Sequence, residues 1–85
     1  MFAVRDGEND LGRSQEYAIY LKDETVSRKP QAQIVHQDGI FVLRAVQPDR
    51  PVFLNEEHVA DADALSDGDK LKLGDTVLRF RTIEG

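Results

Sequence analysis

Three observations predict that this chain folds as a small all-β sandwich. Turn-forming dipeptides recur at short intervals, and prolines fall between them. The stretches between the turns are short, and in them apolar residues alternate with polar ones, which is the period of a β-strand. Because the chain has only 85 residues, we expect one domain whose loops carry the function. The turn signals are Asp6-Gly7, Asp38-Gly39, Asp67-Gly68 and Gly74-Asp75, and the prolines are Pro30, Pro48 and Pro51.

The clearest element is a hairpin centred on Asp38-Gly39. This dipeptide lies between two strand-like runs, QAQIVHQ and IFVLRAV, which predict strands at about 31–37 and 40–46. An Asp-Gly pair suits a type I′ turn because both of its central positions need positive φ. The second run is apolar on nearly both faces, so we expect it to be a central strand.

The remaining strands follow from the same alternation. Residues 17–21 predict one strand and residues 51–54 a shorter one. The leucines at 71 and 73 alternate with lysines, and residues 76–81 alternate after Gly74-Asp75, so these two runs predict a closing hairpin. Residues 56–65 contain at most one helical turn, and we expect them to be mostly loop.

Composition excludes several classes of protein. The chain has no cysteine, so it has neither disulfides nor thiolate metal sites. Its net charge of −5 argues against nonspecific nucleic-acid binding. No apolar run is long enough for a signal peptide or a membrane span. We therefore expect no membrane insertion and a cytoplasmic location, or a nuclear one in a eukaryote.

The sequence contains no recognisable catalytic or metal-binding pattern. His36 and His58 lie outside any nucleophile or metal motif. The carboxylate-rich residues 61–69 do not fit a calcium loop. With Asp63 as the first ligand, a leucine takes the third position and Gly74 the twelfth. We therefore predict no enzyme activity, no catalytic residues, no metal and no cofactor.

Two short motifs could bind an anion. Gly12-Arg13-Ser14 presents an arginine, whose planar group donates two parallel hydrogen bonds to phosphate or carboxylate. Ser27-Arg28-Lys29 places a hydroxyl and two cations before a strand. Each motif also has a simpler interpretation. Arg13 could pair with Glu16 or Asp23 at the surface, and Ser27 could do no more than stabilise a turn.

Taken together, the motifs resemble the forkhead-associated (FHA) domain family. Gly12-Arg13 is followed by YAIYL, then Ser27-Arg28, a hairpin, and Phe53-Leu54-Asn55. The pattern Leu-x-Asp-Gly-Asp-x-Leu-x-Leu-Gly at 65–74 completes the order, and the resemblance covers about residues 2–81. It implies an FHA-like (SMAD/FHA) β-sandwich of two mainly antiparallel sheets that binds phosphothreonine peptides on loops at one end.

The resemblance also assigns roles to individual residues. Arg13 matches the family's phosphate-binding arginine, and Ser27 matches a serine that donates to a phosphate oxygen. Arg28 matches a position that contacts the phosphate or the peptide beyond it. Asn55 matches an asparagine that supports the binding loops, and Gly12 matches a structural glycine.

The chain departs from the family pattern in two binding loops. Pro30 replaces a histidine that braces the loop behind the serine, so this support must be provided differently or not at all. Residues 48–52 replace a loop that carries a hydroxyl and an asparagine. Arg50 takes about the place of that asparagine and supplies charge but no amide, while Asp49 beside it repels a phosphate.

Two functions remain after these comparisons of motifs. The first is a non-enzymatic phosphothreonine-binding module in signalling. The second is an FHA-like scaffold for phosphorylation-independent assembly, for example in a bacterial secretion machine. The resemblance further implies that residues 1–85 lack the usual first strand and are one domain of a larger protein. A sheet edge left exposed in this way leaves homodimer formation open.

Overall fold

The computed structural model describes residues 2–82, which contain nine β-strands and no helix. None of these residues therefore belongs to a helix that could cross a membrane. The strands are β1 (Gly7–Gly12), β2 (Ile19–Tyr20), β3 (Ala32–Gln37), β4 (Ile40–Ala45), β5 (Val52–Leu54), β6 (Glu57–His58), β7 (Ala62–Ala64), β8 (Lys70–Leu73) and β9 (Thr76–Arg79).

The strands form two sheets. The first has the order β2-β1-β3-β4-β7, and the second has the order β6-β5-β8-β9. Among the strands of residues 2–82, only β1 and β2 pair in parallel, and every other pair is antiparallel. The predicted all-β fold of two mainly antiparallel sheets is therefore confirmed.

The core lies between the inner faces of the two sheets. The first sheet contributes alternate residues of β1, β3 and β4, and the second contributes those of β5 and β8, because successive side chains of a strand point to opposite faces. Two residues of the loop after β2 extend this core at one end. The residues concerned are Leu11, Ala32, Ile34, Leu43, Val52, Leu71 and Leu73, with Leu21 and Val26 from the loop.

The predicted hairpin of β3 and β4 is present with a two-residue turn. Asp38 has φ of 55° and Gly39 has φ of 76°, as a type I′ turn requires. β4 lies between β3 and β7, so its predicted interior position in the sheet is also correct. The strands predicted at 51–54, 71–73 and 76–81 correspond to β5, β8 and β9.

Three strand predictions need correction. β1 was not predicted, because its sequence GENDLG has little apolar alternation and it forms by pairing with β3. The strand predicted at 17–21 shrinks to Ile19–Tyr20, because Tyr17 turns away to contact Arg28. Residues 56–65, expected to be mostly loop, contain β6 and β7. Both are short and exposed, and only their pairing with β5 and β4 identifies them.

Candidate functional site

Three loops meet at one end of the sandwich, which we call the loop end. They are residues 13–18 after β1, residues 21–31 between β2 and β3, and residues 46–51 between β4 and β5. The opposite end, which we call the turn end, carries the turns at 38–39, 55–56 and 66–69. The predicted residues Arg13, Ser27, Arg28 and Arg50 all lie in the loops of the loop end.

Arg13 is held in place by the loop that carries Ser27. Its main-chain N–H donates to the Ser27 carbonyl at 2.8 Å, and its side-chain Nε donates to the Val26 carbonyl at 3.2 Å. Within residues 2–82, its terminal nitrogens Nη1 and Nη2 have no acceptor, and no salt bridge joins Arg13 to Glu16 or Asp23. The guanidinium is thus fixed at one nitrogen and keeps its forked donors for another group.

The hydroxyl and the main-chain N–H of Ser27 both take part in hydrogen bonds within the loop end. Its Oγ accepts hydrogen bonds from the Lys29 main-chain N–H at 3.2 Å and from Gln47 Nε2 at 3.0 Å. Its own main-chain N–H donates to Gln31 Oε1 at 2.9 Å. The Lys29 contact is the turn-stabilising bond expected of a serine at such a position. The other two contacts tie this turn to side chains outside it.

Two glutamines provide the support that Pro30, unlike a histidine, cannot give through a side chain. Gln31 is 1% exposed, and its Nε2 donates to the Pro51 carbonyl at 3.2 Å while its Oε1 holds Ser27. Gln47 Nε2 also donates to the Pro30 carbonyl at 3.0 Å. Pro30 lacks an N–H but still supplies this acceptor, so the loop is braced through its carbonyl. We expected this bracing to be provided differently or not at all, and in the structure two glutamine amides hold the loop.

Sequence reasoning missed both glutamines. Gln31 lies at the start of an alternating strand, where it reads as an ordinary polar residue. Gln47 lies in a proline-rich loop. The only signal was the proline at position 30, which leaves the loop without its expected brace and so requires another polar group nearby. Their roles depend on two loops that meet only in the folded chain.

Gly12 allows the first two loops to approach closely. A Cβ placed on Gly12 would lie 2.8 Å from Tyr17 Cε2 and 3.0 Å from the Lys29 carbonyl oxygen. Tyr17 packs in this space, and its hydroxyl donates to the Arg28 carbonyl at 2.7 Å. A side chain at this position would therefore clash with Tyr17 and with the Lys29 main chain.

The surface of the loop end carries cations. Arg28, Lys29 and Arg50 are exposed, and none of them takes part in a salt bridge among residues 2–82. The Arg50 N–H donates to the Gln47 carbonyl at 3.1 Å, so the turn that carries Arg50 begins beside the Ser27 brace. Asp49 is exposed in the same turn and reduces the local positive charge.

Asn55 is not brought together with the other predicted site residues. It follows β5 at the turn end, with φ of 50°, whereas the 46–51 loop precedes β5. Its Nδ2 donates to Asp69 Oδ1 at 3.0 Å, and its Oδ1 accepts from the Lys70 N–H at 2.9 Å. Asn55 therefore braces the β5–β6 turn against the start of β8, and our placement of it among the ligand contacts needs correction.

Two carboxylates are held ionised by hydrogen bonds. The Thr76 hydroxyl lowers the pKa of Asp23, and the Thr25 hydroxyl and N–H lower it further. The pKa of Asp69 is lowered by the amide of Asn55 and by the N–H of Ser66. Asp23 ties the 21–31 loop to β9, so it stabilises the loop end from behind, while Asp69 acts at the turn end.

The loop end carries hydrogen-bond donors suited to binding. No three metal-ligating side chains cluster anywhere in residues 2–82. His36 lies towards the turn end, where it contacts Asp6 at 3.1 Å and stacks on Phe41. Fixed donors on loops above a rigid sandwich are the arrangement of a protein-interaction domain.

The family model for the FHA domain matches residues 9–74, and the chain belongs to this family. FHA domains are interaction modules rather than enzymes. No curated protein sequence matches the chain.

Solved FHA domains share this fold. The FhaA FHA domain, crystallised with the intracellular domain of Rv3910, is 28% identical with a TM-score of 0.81 over 89% of this chain and 81% of its own. A domain from a study of phosphothreonine-dependent FHA interactions is 27% identical with a TM-score of 0.86 over 95% and 82%. The FHA-2 domain of the Mycobacterium tuberculosis ABC transporter Rv1747 is 28% identical with a TM-score of 0.78 over 91% and 69%.

Proposed function

We propose that this domain binds phosphothreonine peptides at its loop end, without catalysis, as a module in signalling. One observation carries the proposal. Arg13 keeps its two terminal nitrogens for a ligand, in direct contact with the loop that presents the Ser27 hydroxyl. A phosphate offers acceptor oxygens that match a forked guanidinium and a hydroxyl donor.

The phosphate contacts alone do not explain a useful affinity. Two hydrogen bonds from Arg13 and one from Ser27 contribute about 1.5–3 kcal/mol each, but the cost of immobilising the peptide is subtracted, and a micromolar complex needs about 8 kcal/mol net. Further contacts must come from the peptide. The exposed Arg28 and Arg50 flank the site and suit a peptide with acidic residues near the phosphothreonine.

The solved relatives support the same function. One was studied for phosphothreonine-dependent interactions, and another was crystallised with the intracellular domain of a second protein. The partner of this domain is accordingly a phosphothreonine-containing protein. A cytoplasmic location, or a nuclear one in a eukaryote, suits such a partner, because protein kinases act there.

Fluorescence anisotropy with a degenerate phosphothreonine peptide pool, beside the same pool without phosphate, tests this function. We expect binding of the phosphorylated pool only. Arg13→Ala should weaken it at least about a hundredfold, because it removes two charge-assisted hydrogen bonds. Arg5→Ala is the matched control, since Arg5 is exposed and lies before β1 at the turn end.

Equal binding of both pools would contradict the proposed function. An Arg13→Ala variant that is unfolded by circular dichroism would instead make Arg13 a structural residue. A folded variant that binds as tightly as the wild type would remove Arg13 from the site.

A second function, phosphorylation-independent assembly, is favoured by a different surface. β9 is an edge strand whose outer side has no partner strand among residues 2–82, and Val77 on it is 55% exposed. Such an edge can pair with a strand of another chain, including a second copy of this one. Sedimentation velocity over a range of concentrations detects homodimers, and Val77→Lys should abolish them.

A further inference from the structure

We propose that Gln47 is a positioning residue that makes the Ser27 hydroxyl an obligate hydrogen-bond donor towards the ligand. The inference rests on the proposed function of the loop end. A serine hydroxyl has one proton to donate and two lone pairs that accept. Both lone pairs of Ser27 are occupied, by the Lys29 N–H and by Gln47 Nε2. Only its proton remains for another group.

The orientation of the Gln47 amide is fixed by its second contact. Nε2 lies 3.0 Å from the Ser27 hydroxyl and also 3.0 Å from the Pro30 carbonyl oxygen. A carbonyl only accepts hydrogen bonds, so the amide nitrogen must face it. A flipped amide would place its own oxygen against that carbonyl. The Pro30 carbonyl thus determines which atom of Gln47 meets Ser27.

Gln31 is fixed by the same logic and orients the main chain of Ser27. Its Oε1 faces the Ser27 N–H, which only donates, and its Nε2 faces the Pro51 carbonyl, which only accepts. Because Gln31 is buried, water does not compete for these bonds. The two glutamines therefore fix the position of Ser27 and the direction of its proton.

The consequence is selectivity by hydrogen-bond polarity. Ser27 accepts no further bond, so the ligand atom beside it must be an acceptor such as a phosphate oxygen. Amides do not titrate, so this brace keeps its polarity through the physiological pH range. The charged groups in the loops around it are Arg13, Arg28, Lys29, Asp49 and Arg50.

Replacing Gln47 by an acid of the same shape tests the inference. In Gln47→Glu the carboxylate accepts the Ser27 proton and turns it away from the ligand. We expect at least about tenfold weaker phosphopeptide binding at pH 7, similar to Ser27→Ala. Gln47→Met removes the brace without reversing its polarity and should weaken binding less. The ratio of Gln47→Glu to wild-type Kd should fall as the pH drops from 7 to 4.5, and the Gln47→Met ratio should stay constant.

A measurement without ligand tests the hydrogen-bond network separately. In ¹⁵N–¹H spectra of the unbound domain, Ser27→Ala should shift the Gln47 side-chain amide and the Lys29 amide. An unchanged Gln47 signal would overturn the network. Phosphopeptide binding by Gln47→Glu equal to wild type would overturn the positioning role but leave the proposed function standing. Absence of binding by the wild type itself would overturn both.

Discussion

The two ends of this sandwich satisfy their polar groups in opposite ways. At the turn end, nearby charged and amide groups bind one another: Asn55 binds Asp69, and Lys70 binds Glu56. At the loop end, uncharged side chains make most of the bonds, Asp23 accepts only from hydroxyls and an N–H, and the cations take part only through the Nε of Arg13. The three salt bridges among residues 2–82 all lie away from the three loops.

This difference makes the proposed anion site compatible with a net charge of −5. The side chains of Gln31, Gln47 and Tyr17 hold the loops together by hydrogen bonds, so ion pairs are not needed for this. The arginines of the loop end therefore need no carboxylate partner from the protein. A phosphate can supply that partner. Substitutions of the glutamines should first change the conformation of the Ser27 loop.

The largest effect on stability should come from the buried amide of the loop end. Gln31→Leu leaves the Ser27 N–H and the Pro51 carbonyl without partners, which should cost about 2–4 kcal/mol of the free energy of unfolding. Thermal denaturation should show a fall in Tm on the order of 10 °C. Gln33→Leu is the control, because Gln33 bonds only the Asp10 side chain, and it should change Tm little. Equal losses in the two variants would contradict the brace.

Asn55→Ala should separate stability from binding. It removes two hydrogen bonds at the turn end and leaves an alanine at a φ of 50°, so we expect a loss of about 1–2 kcal/mol in denaturant unfolding. Affinity for the phosphorylated pool should stay within a factor of two of wild type, because Asn55 is remote from Arg13. A folded Asn55→Ala variant with abolished binding would place Asn55 at the ligand after all.

Glu56→Gly should make the turn end slightly more stable. Glu56 has φ of 73°, which costs a residue with a side chain about 1–2 kcal/mol relative to glycine. The substitution also removes the exposed ion pair with Lys70, worth about 0–1 kcal/mol. We expect a net gain of about 0.5 kcal/mol in urea unfolding. Glu57→Gly, within β6, should destabilise the domain instead, and a loss in both variants would exclude backbone strain at position 56.

The smallest effect expected is a pH dependence shared by the two ends. Asp23 and Asp69 have a pKa lowered by hydrogen bonds in the folded domain, so each stabilises the fold above the unfolded pKa of about 4. That contribution is lost as the pH falls through the lowered folded values. Asp23→Asn should therefore flatten the fall in Tm below pH 4. An unchanged pH profile in this variant would mean that Asp23 contributes nothing.

The sequence predicts those elements whose conformation is determined by residues adjacent in the chain. The Asp38-Gly39 hairpin is of this kind, because the dipeptide itself favours the required backbone angles. β1 and β7 are not, since their polar sequences become strands only by pairing with β3 and β4. At the site, Arg13 and Ser27 belong to short local motifs and could be singled out. Gln31 and Gln47 could not, because their partners come from loops that meet only after folding.

A ¹⁵N–¹H titration of the wild-type domain with the phosphorylated and unphosphorylated peptide pools tests the division between the two ends most directly. Only the phosphorylated pool should shift signals. The shifts should cluster at residues 12–14, 26–31 and 47–51, while signals of 38–39, 55–56 and 66–69 stay in place. Shifts at the turn end, or the absence of shifts with either pool at millimolar peptide, would contradict a phosphate site at the loop end.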